Sequence, residues 1–561
     1  VSAEVAAEAV VERPSSSSDE PSGLSRRGAM FSAAGASLLS VLPMGTRSAS
    51  AAPAPAPPVQ KPANLGPATG HAVGDPRGAD IAVKARRSQQ GRFGLMFPSL
   101  KPFAPSEALL AVMAQRMIDP RQPLADVSSS EDGFDNAEMP AGYTYLGQFM
   151  DHDITHDITP LSQQKADPLA LVNFNTPFFD LSSVYGRGQA EDPQLYDPKN
   201  PALLLVGTTP EGISDVPRTS TGAATIGDAR NDENLIVSQM HLAFLKLHNH
   251  FVGLGNSFAD ARRLVRWHYQ WVIVNDFLPR MVGSAVVRSM LLPQSDGTIR
   301  VDNKFYKPGN RLKPMIPLEF SVCAYRFGHS MIRAEYEMHD NTTFPLFGPP
   351  GQDLRGSRPL PYDARADWNY FFDIPGVEPP MGRNTARLLD TQLSFPLANL
   401  PPTVVSHIDG AIYALAHRNL LRGVKLGLPA GQDVATALGV PPIPNTRLGL
   451  YEPEWGSKAP LWFYILKEAE LQGGRRLGPV GGRIIAEVIL GLLALDPDSY
   501  LNSRTRWTPA DPAFGMGELF RMSGATFKVE EDLPEEVLPE EEVPEEGLVG
   551  DHLPESEPTD A

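Results

Sequence analysis

Two short runs carry most of the chemistry in this chain: Gln148-Phe149-Met150-Asp151-His152-Asp153 and Arg326-Phe327-Gly328-His329. Each presents one histidine among other reactive groups. An imidazole can shuttle a proton near neutral pH, and a ring nitrogen can bind a metal. On a helix, residues four apart share a face, so Gln148 and His152 point into one pocket while Asp151 and Asp153 flank the ring on different sides. If the two histidines face each other across a pocket, they could sandwich a flat redox cofactor. Two rival readings exist. His152-Asp153-Ile154-Thr155-His156 imitates the helical zinc motif His-Glu-x-x-His, but the base is shortened and no clear third ligand follows. His248-Asn249-His250 spells a nuclease-like tripeptide, yet it sits inside an amphipathic helix and reads as incidental.

Helical spacing dominates the body that must position these groups. Helices are expected over 107–118, from Tyr143 through Met150 into the Asp-His-Asp run, and over 234–254, where Leu235, Met240, Phe244, Leu247 and Phe251 keep near-helical register. Further helices are expected over 261–277, 318–332, 408–425, 461–471 and 484–495. The last is too short to span a bilayer and carries Glu487, so it reads as a buried helix. Strand alternation is scarce, and Pro-rich connectors fill 340–380 and 396–402. The fold class is mainly α, with long irregular loops and little β.

Composition divides the chain of 561 residues into three parts. Residues 1–74 read as a disordered leader followed by a Pro/Ala linker. Ser25-Arg26-Arg27-Gly28-Ala29-Met30-Phe31, the mildly apolar stretch after it and Ala49-Ser50-Ala51 resemble a twin-arginine export signal over about 24–51. A functional signal implies a periplasmic or extracellular protein; otherwise the chain is cytoplasmic. Residues 75–528 form one large body of about 450 residues, above the usual size of a single domain. Residues 529–561 hold 14 Asp/Glu and no Lys/Arg, an acidic disordered tail. Without those charges the formal net charge moves from −17 to −3, so the body is near neutral and carries no nucleic-acid footprint. The single cysteine, Cys323, excludes an intrachain disulfide. Oligomeric state is open.

Six segments in order resemble the animal-type haem peroxidases, the superfamily of myeloperoxidase-like and cyclooxygenase-like enzymes, here as a bacterial-type member. Gly147–Asp153 looks like the family's distal helix. Thr176-Pro177-Phe178-Phe179-Asp180-Leu181-Ser182 with Tyr185-Gly186 looks like its calcium loop. Gly227–Glu233 looks like the distal arginine segment, and Met240-His241 through His248-Asn249 like the helix after it. Ala324–His329 looks like the proximal helix. Arg418-Asn419 with Gly427-Leu428-Pro429 looks like the segment that anchors the proximal histidine.

The resemblance implies roles. His152 is the distal base, Arg230 the distal cation and Gln148 the group that orients a water or halide. An alternative for Arg230 is an ordinary ion pair with Asp228 or Glu233. His329 is the proximal iron ligand, with the Asn419 carbonyl accepting its other N–H. Arg326 stands where lipid dioxygenases of the superfamily carry a tyrosine; Tyr325 lies one residue earlier. Asp151 and Glu233 match the carboxylates that esterify haem in mammalian members, so the cofactor is haem b or ester-linked haem. Asn234 excludes a sulfonium link. Asp153, Thr176, Phe178, Asp180 and Ser182 supply a hard oxygen set suited to Ca²⁺. The expected function is a haem peroxidase, in which H₂O₂ gives a ferryl intermediate that oxidises a halide, thiocyanate or phenol, a chemistry suited to the response to oxidative stress. The alternative is a fatty-acid dioxygenase of the same superfamily.

Overall fold

Apolar residues at helical spacing build the elements that carry these groups. The computed structural model describes residues 91–119, 134–156, 172–173, 175–308, 314–340, 342–405 and 412–525. The leader, the Pro/Ala linker and the acidic tail lie outside the described residues. The chain divides into the units Val1–Ala63 and Asn64–Ala561, and every described residue belongs to the second.

Helix α1 (Glu107–Arg116) starts at Ser106, whose hydroxyl accepts the Leu109 N–H. Helix α2 (Gly142–Ile154) carries the first histidine run. Helix α3 (Leu235–Gly253) starts at Asn234, whose side chain accepts from the Ile236 N–H. Helix α4 (Phe258–Val272) runs through a π turn (Ile273–Phe277) into α5 (Leu278–Val282). Helices α6 (Leu415–Lys425), α7 (Leu461–Glu470), α8 (Pro479–Leu495) and α9 (Met516–Ser523) follow. The strands are short. Gly91–Gly94 pairs antiparallel with Val172–Asn173 and parallel with Met315–Pro317 in a three-stranded sheet, and the other sheets among the described residues have two strands each.

The structure is mainly helical, as the sequence implies, but four elements depart from expectation, among them the helix expected over 484–495, which begins at Pro479. The helix expected over 318–332 is broken: one α turn (Leu318–Ser321) gives way at Cys323 to a 3-10 segment (Ala324–Met331). Arg326 takes part in the break, since its Nε donates to the Ser321 carbonyl at 3.0 Å. The helix expected over 408–425 is seen from Leu415, with residues 412–414 irregular. The helix expected over 261–277 begins earlier, at Phe258, and its last turn is π rather than α.

Helix α8 is the centre of the core. Nearly all of it is buried, including Glu487 at 0% exposure. That carboxylate accepts three backbone N–H groups, from Lys304, Phe305 and Tyr306, at 3.0, 2.8 and 2.9 Å. No helix among the described residues is long and apolar enough to cross a membrane.

Helix α7 grips α8 through a second buried carboxylate. Glu468 accepts from the Val480 and Gly481 N–H groups in the first turn of α8, at 2.9 and 3.3 Å. Burial pushes its carboxyl up to about 7, against those two bonds. A pKa raised in the folded state means that the stability Glu468 contributes is full below its unfolded pKa and is lost as pH rises through 7. Glu468→Gln keeps an acceptor and removes the charge. It is expected to raise stability at pH 8 by up to roughly 3 kcal/mol and to flatten the dependence between pH 5 and 8. Urea midpoints at both pH values check this; a variant that tracks the parent at both would refute it.

Candidate active site

Helix α2 begins at a glycine because nothing larger fits. A Cβ at Gly142 would lie 2.3 Å from the Phe372 ring and 2.5 Å from the Phe371 carbonyl. Further along, Phe149 stacks on Phe244 of α3, with centroids 4.8 Å apart and planes within 5°. These two contacts fix the rotation of α2. Gln148 and Asp151 then face a cavity of about 1170 Å³, its open mouth included.

The 3-10 segment supplies another part of the wall. With three residues per turn, side chains three apart eclipse. Arg326 and His329 therefore both line the cavity, together with Tyr325 and Gly328. The Tyr325 hydroxyl donates to the Gly147 carbonyl of α2 at 3.1 Å and so ties the two runs together. Glu233 and Asn234 also line the cavity. Arg326 Nη1 lies 3.8 Å from Asp151 Oδ2, while the other oxygen of Asp151 accepts from the Thr155 hydroxyl at 3.0 Å.

His152 and Arg230 do not line this cavity; both are buried behind it. The His152 Nδ1 lies 2.9 Å from Asn231 Oδ1, and Asn231 Nδ2 lies 3.0 Å from His241 Nδ1. An amide that accepts at one end donates at the other. With Oδ1 facing His152, that ring carries its proton on Nδ1 and leaves Nε2 as its basic atom. Burial, and then the Arg230 charge, lower the His152 pKa to about 4.

Arg230 departs from the distal position that the resemblance implies for its charge. Its guanidinium pairs with Asp228, at 2.7 Å from Nη2 to Oδ2, which is the ion pair that the sequence allowed as an alternative. Nη2 also donates to the carbonyls of His152 and Thr155, at 2.9 and 2.6 Å. The physical reason is local: Asp228 caps the 3-10 turn Ala229–Asp232 and sits two residues from the arginine it neutralises. Burial opposes ionisation of Asp228, but the Arg230 charge outweighs it and holds the carboxyl below its ordinary range.

On the other wall, Asn419 of α6 lies behind His329, with Nδ2 2.8 Å from Nδ1. The pair expected from sequence is present, with the amide nitrogen rather than the carbonyl toward the ring. A half-turn of the amide exchanges the two. A ring that binds metal through Nε2 carries its proton on Nδ1 and needs the carbonyl there. Burial, and then the charges of Arg326 and Arg422, lower the His329 pKa to about 3. The ring is neutral, the form that binds metal.

Asn231 and His241 are the functional residues that motif reading did not assign. Asn231 lies 79 residues from His152, and no spacing rule links them. The signal was position alone: Asn231 follows Arg230 within the quoted run.

The residues of the segment expected to bind calcium make local hydrogen bonds among themselves. Asp180 accepts from the Thr176 hydroxyl and the Ser182 N–H, each at 3.0 Å. Asp153 accepts from the Leu181 N–H at 3.1 Å and the Ser183 N–H at 3.4 Å. Burial, and then the Asp180 charge, push the Asp153 carboxyl well up. The Ser182 hydroxyl is buried with no hydrogen-bond partner. Leu181, between them, has φ +59°, a left-handed conformation that costs a leucine about 1–3 kcal/mol. The described residues contain no group of three or more His, Cys, Asp or Glu that could hold a metal, and this oxygen set has only two carboxylates.

The cavity suits a flat, largely apolar group with a metal at its centre. Phe277, Phe347, Leu397, Leu400 and Leu415 supply apolar wall, and the polar groups are few. Beside His329, a Cβ on Gly328 would meet nothing within 4 Å, so the glycine leaves open space next to the metal-binding ring.

The family model of the animal haem peroxidases matches residues 158–357, a span that includes Arg230 and His329 and begins after His152. A peroxidase-like protein of Margaritifera margaritifera is 26% identical over 333 residues, covering 47% of this chain and 40% of that protein. The chain spans less than half the length of the relatives it matches. Peroxidase A of Dictyostelium discoideum has a similar fold, with TM-score 0.53 and 15% identity over 79% of this chain and 94% of that one. A fatty acid alpha-dioxygenase of Arabidopsis thaliana gives TM-score 0.51 and 15% identity over 79% and 77%. The ordered motifs, the cavity between the two histidine runs, the family match over residues 158–357 and the shared fold point the same way: the chain is similar to the animal haem peroxidases.

Proposed function

We propose that this chain is a haem peroxidase that reduces H₂O₂ and oxidises a small donor, a halide, thiocyanate or phenol. The observation that carries the reading is the His152–Asn231 bond beside a cavity lined by His329. His329 would hold the iron, Asn419 would fix that ring, and Arg326, Asp151 and Glu233 would meet the edge of the macrocycle. Haem b and haem ester-linked through Asp151 and Glu233 both suit this wall. The haem supplies the redox chemistry.

The protein supplies proton handling. Nε2 of His152 would take a peroxide proton relayed from the cavity it stands behind and return it to the leaving oxygen, while Nδ1 stays committed to Asn231. Burial keeps the ring neutral, with the Arg230 charge adding to it, and Arg230 fixes the ring's position by holding the His152 carbonyl. Gln148 offers its amide to water or halide at the cavity wall. The dioxygenase alternative gains from the Arabidopsis neighbour and loses on Tyr325. That phenol donates to a backbone carbonyl, which cannot take its proton, and Arg326 stands three residues before His329. Export is proposed on the Arg26-Arg27 signal alone.

The two readings separate on haem-loaded protein. An equivalent of H₂O₂ is expected to shift the Soret band, and bromide or guaiacol to restore it, with no oxygen uptake on linoleate. Uptake without donor oxidation would sink the peroxidase reading. His152→Gln is expected to slow the peroxide reaction by roughly 10²–10⁴-fold, read by stopped flow.

Asn419→Asp places a charge behind His329 and strengthens it as a donor to iron. The reduction potential is expected to fall by roughly 60 mV or more, about tenfold in the one-electron equilibrium. An unchanged potential counts against the pairing.

Calcium at Asp153, Thr176, Asp180, Ser182 and the Phe178 carbonyl would occupy this partly buried oxygen set and take up the Ser182 hydroxyl. A site filled at about a hundredfold excess over Kd contributes about 2.7 kcal/mol. Chelation is expected to lower the unfolding midpoint by that order, and added Ca²⁺ to restore it. A midpoint indifferent to both rejects the site.

A further inference from the structure

Three tyrosines line the cavity: Tyr143, Tyr145 and Tyr325. Their phenols differ in what they face. Tyr325 donates to a backbone carbonyl, and Tyr145 packs edge-on against Tyr336 with centroids 5.3 Å apart. Neither neighbour is a useful base. Tyr143 donates to a carboxylate, at 2.7 Å from Oη to Asp276 Oδ2. Oxidation turns a phenol into a strong acid, so a buried tyrosine gives up an electron readily only where a base stands ready for its proton. Of the three, Tyr143 has one.

Asp276 belongs to the π turn Ile273–Phe277. π turns inside α-helices are rare and recur at functional sites. Here the neighbours on the turn serve different spaces: Phe277 lines the cavity, and Asp276 lines a second pocket. Tyr143 lines both. The second pocket measures about 570 Å³, open mouth included, and Arg280, Asp373, Pro375, Pro512 and Phe514 contribute to its walls. Arg280 stands 4.5 Å over the Tyr143 ring and pairs with Asp276 at 2.8 Å.

We infer that Tyr143 is a redox relay between the haem cavity and this second pocket, and that the pocket takes phenolic donors too bulky to reach the haem. The inference rests on the peroxidase reading. Proline faces, a phenylalanine and a planar guanidinium suit an aromatic ring, and the carboxylates of Asp276 and Asp373 suit its hydroxyl. In the first step Tyr143 gives one electron to the oxidising equivalents that peroxide leaves at the haem, and its phenolic proton to Asp276 Oδ2. In the second the donor phenol gives one electron to the Tyr143 radical, Asp276 returns the proton to Tyr143 Oη, and the donor's own proton leaves to water. Two rounds consume one peroxide, with two electrons and two protons entering to give two waters.

The test uses the haem-loaded full chain. Freeze-quench EPR after peroxide, without donor, is expected to show a tyrosyl signal that narrows with ring-deuterated tyrosine and is lost in Tyr143→Phe. Asp276→Asn removes the proton acceptor but keeps a hydrogen-bond acceptor, and is expected to slow radical formation by roughly 10²-fold. Ala513→Trp fills the second pocket from its exposed rim. It is expected to raise KM for a bulky phenol such as sinapyl alcohol while leaving the radical in place. A Soret band that peroxide does not move overturns the peroxidase reading and the relay with it. A Soret band that moves, with a tyrosyl signal absent or unaltered in Tyr143→Phe, overturns the relay alone. An unchanged KM in Ala513→Trp overturns the second pocket as the donor site.

Discussion

The ion pair between Arg230 and Asp228 is the constraint on which the distal side depends. Both groups are buried, at 4% and 7% exposure, where an unpaired charge costs several kcal/mol. Paired, the guanidinium still has donors to spend, and it spends them on the carbonyls of His152 and Thr155 at the end of α2. Helix ends expose carbonyls that must find partners. Here the partner also carries a charge that adds to burial in keeping His152 a neutral base. A lysine would supply the charge without the fork that reaches Asp228 and two carbonyls together.

The same short run distributes other tasks by sequence position. Asn231 turns to His152 and His241, and Asp232 takes two guanidinium nitrogens of Arg218, at 2.8 and 2.7 Å. Glu233 reaches the cavity wall. A tight 3-10 turn sends successive side chains in different directions, so one turn serves four structural neighbours. Buried polar networks of this kind specify one arrangement only while every member is satisfied. Elsewhere, buried carboxylates fasten loops to helices without disulfides. Glu319 takes the Met96 and Phe97 N–H groups at 2.9 and 3.0 Å, more than two hundred residues away in sequence, and Glu487 holds residues 304–306 to α8. A chain with one cysteine ties its long connections to the core in this way.

Sequence periodicity was enough for the elements whose apolar faces repeat over several turns. Helices α1, α2, α3 and α7 fall within a residue or two of expectation, because burial of a continuous stripe decides them. The segment before His329 was not legible. Its apolar residues continue past Cys323, and the break depends on a side chain bonding back to a carbonyl five residues earlier. The π turn at 273–277 was hidden for a related reason: its sequence has ordinary helical spacing, and only its hydrogen bonds betray the extra residue. At the site, residue types were readable from ordered motifs, whereas partners 79 and 90 residues apart were readable only in the fold. Buried glutamates that accept backbone N–H groups leave no pattern in sequence at all.

The two histidines end with the same protonation state for different reasons. Burial lowers both pKa values, but the charge that reinforces it differs: Arg230 behind His152, and Arg326 with Arg422 beside His329. Each ring meets an amide at Nδ1, and an amide can present either a donor or an acceptor without bringing charge. Carboxylates at those two positions would make both rings more basic and blur their separate tasks. With neutral amides, the division of labour falls to what faces each Nε2. A base needs a substrate proton within reach and a ligand needs a metal, so the protein has only to keep both rings neutral and correctly turned. That requirement fits amides as the groups that meet Nδ1 of each ring, while three carboxylates near the site, Asp151, Asp228 and Asp276, each pair with an arginine.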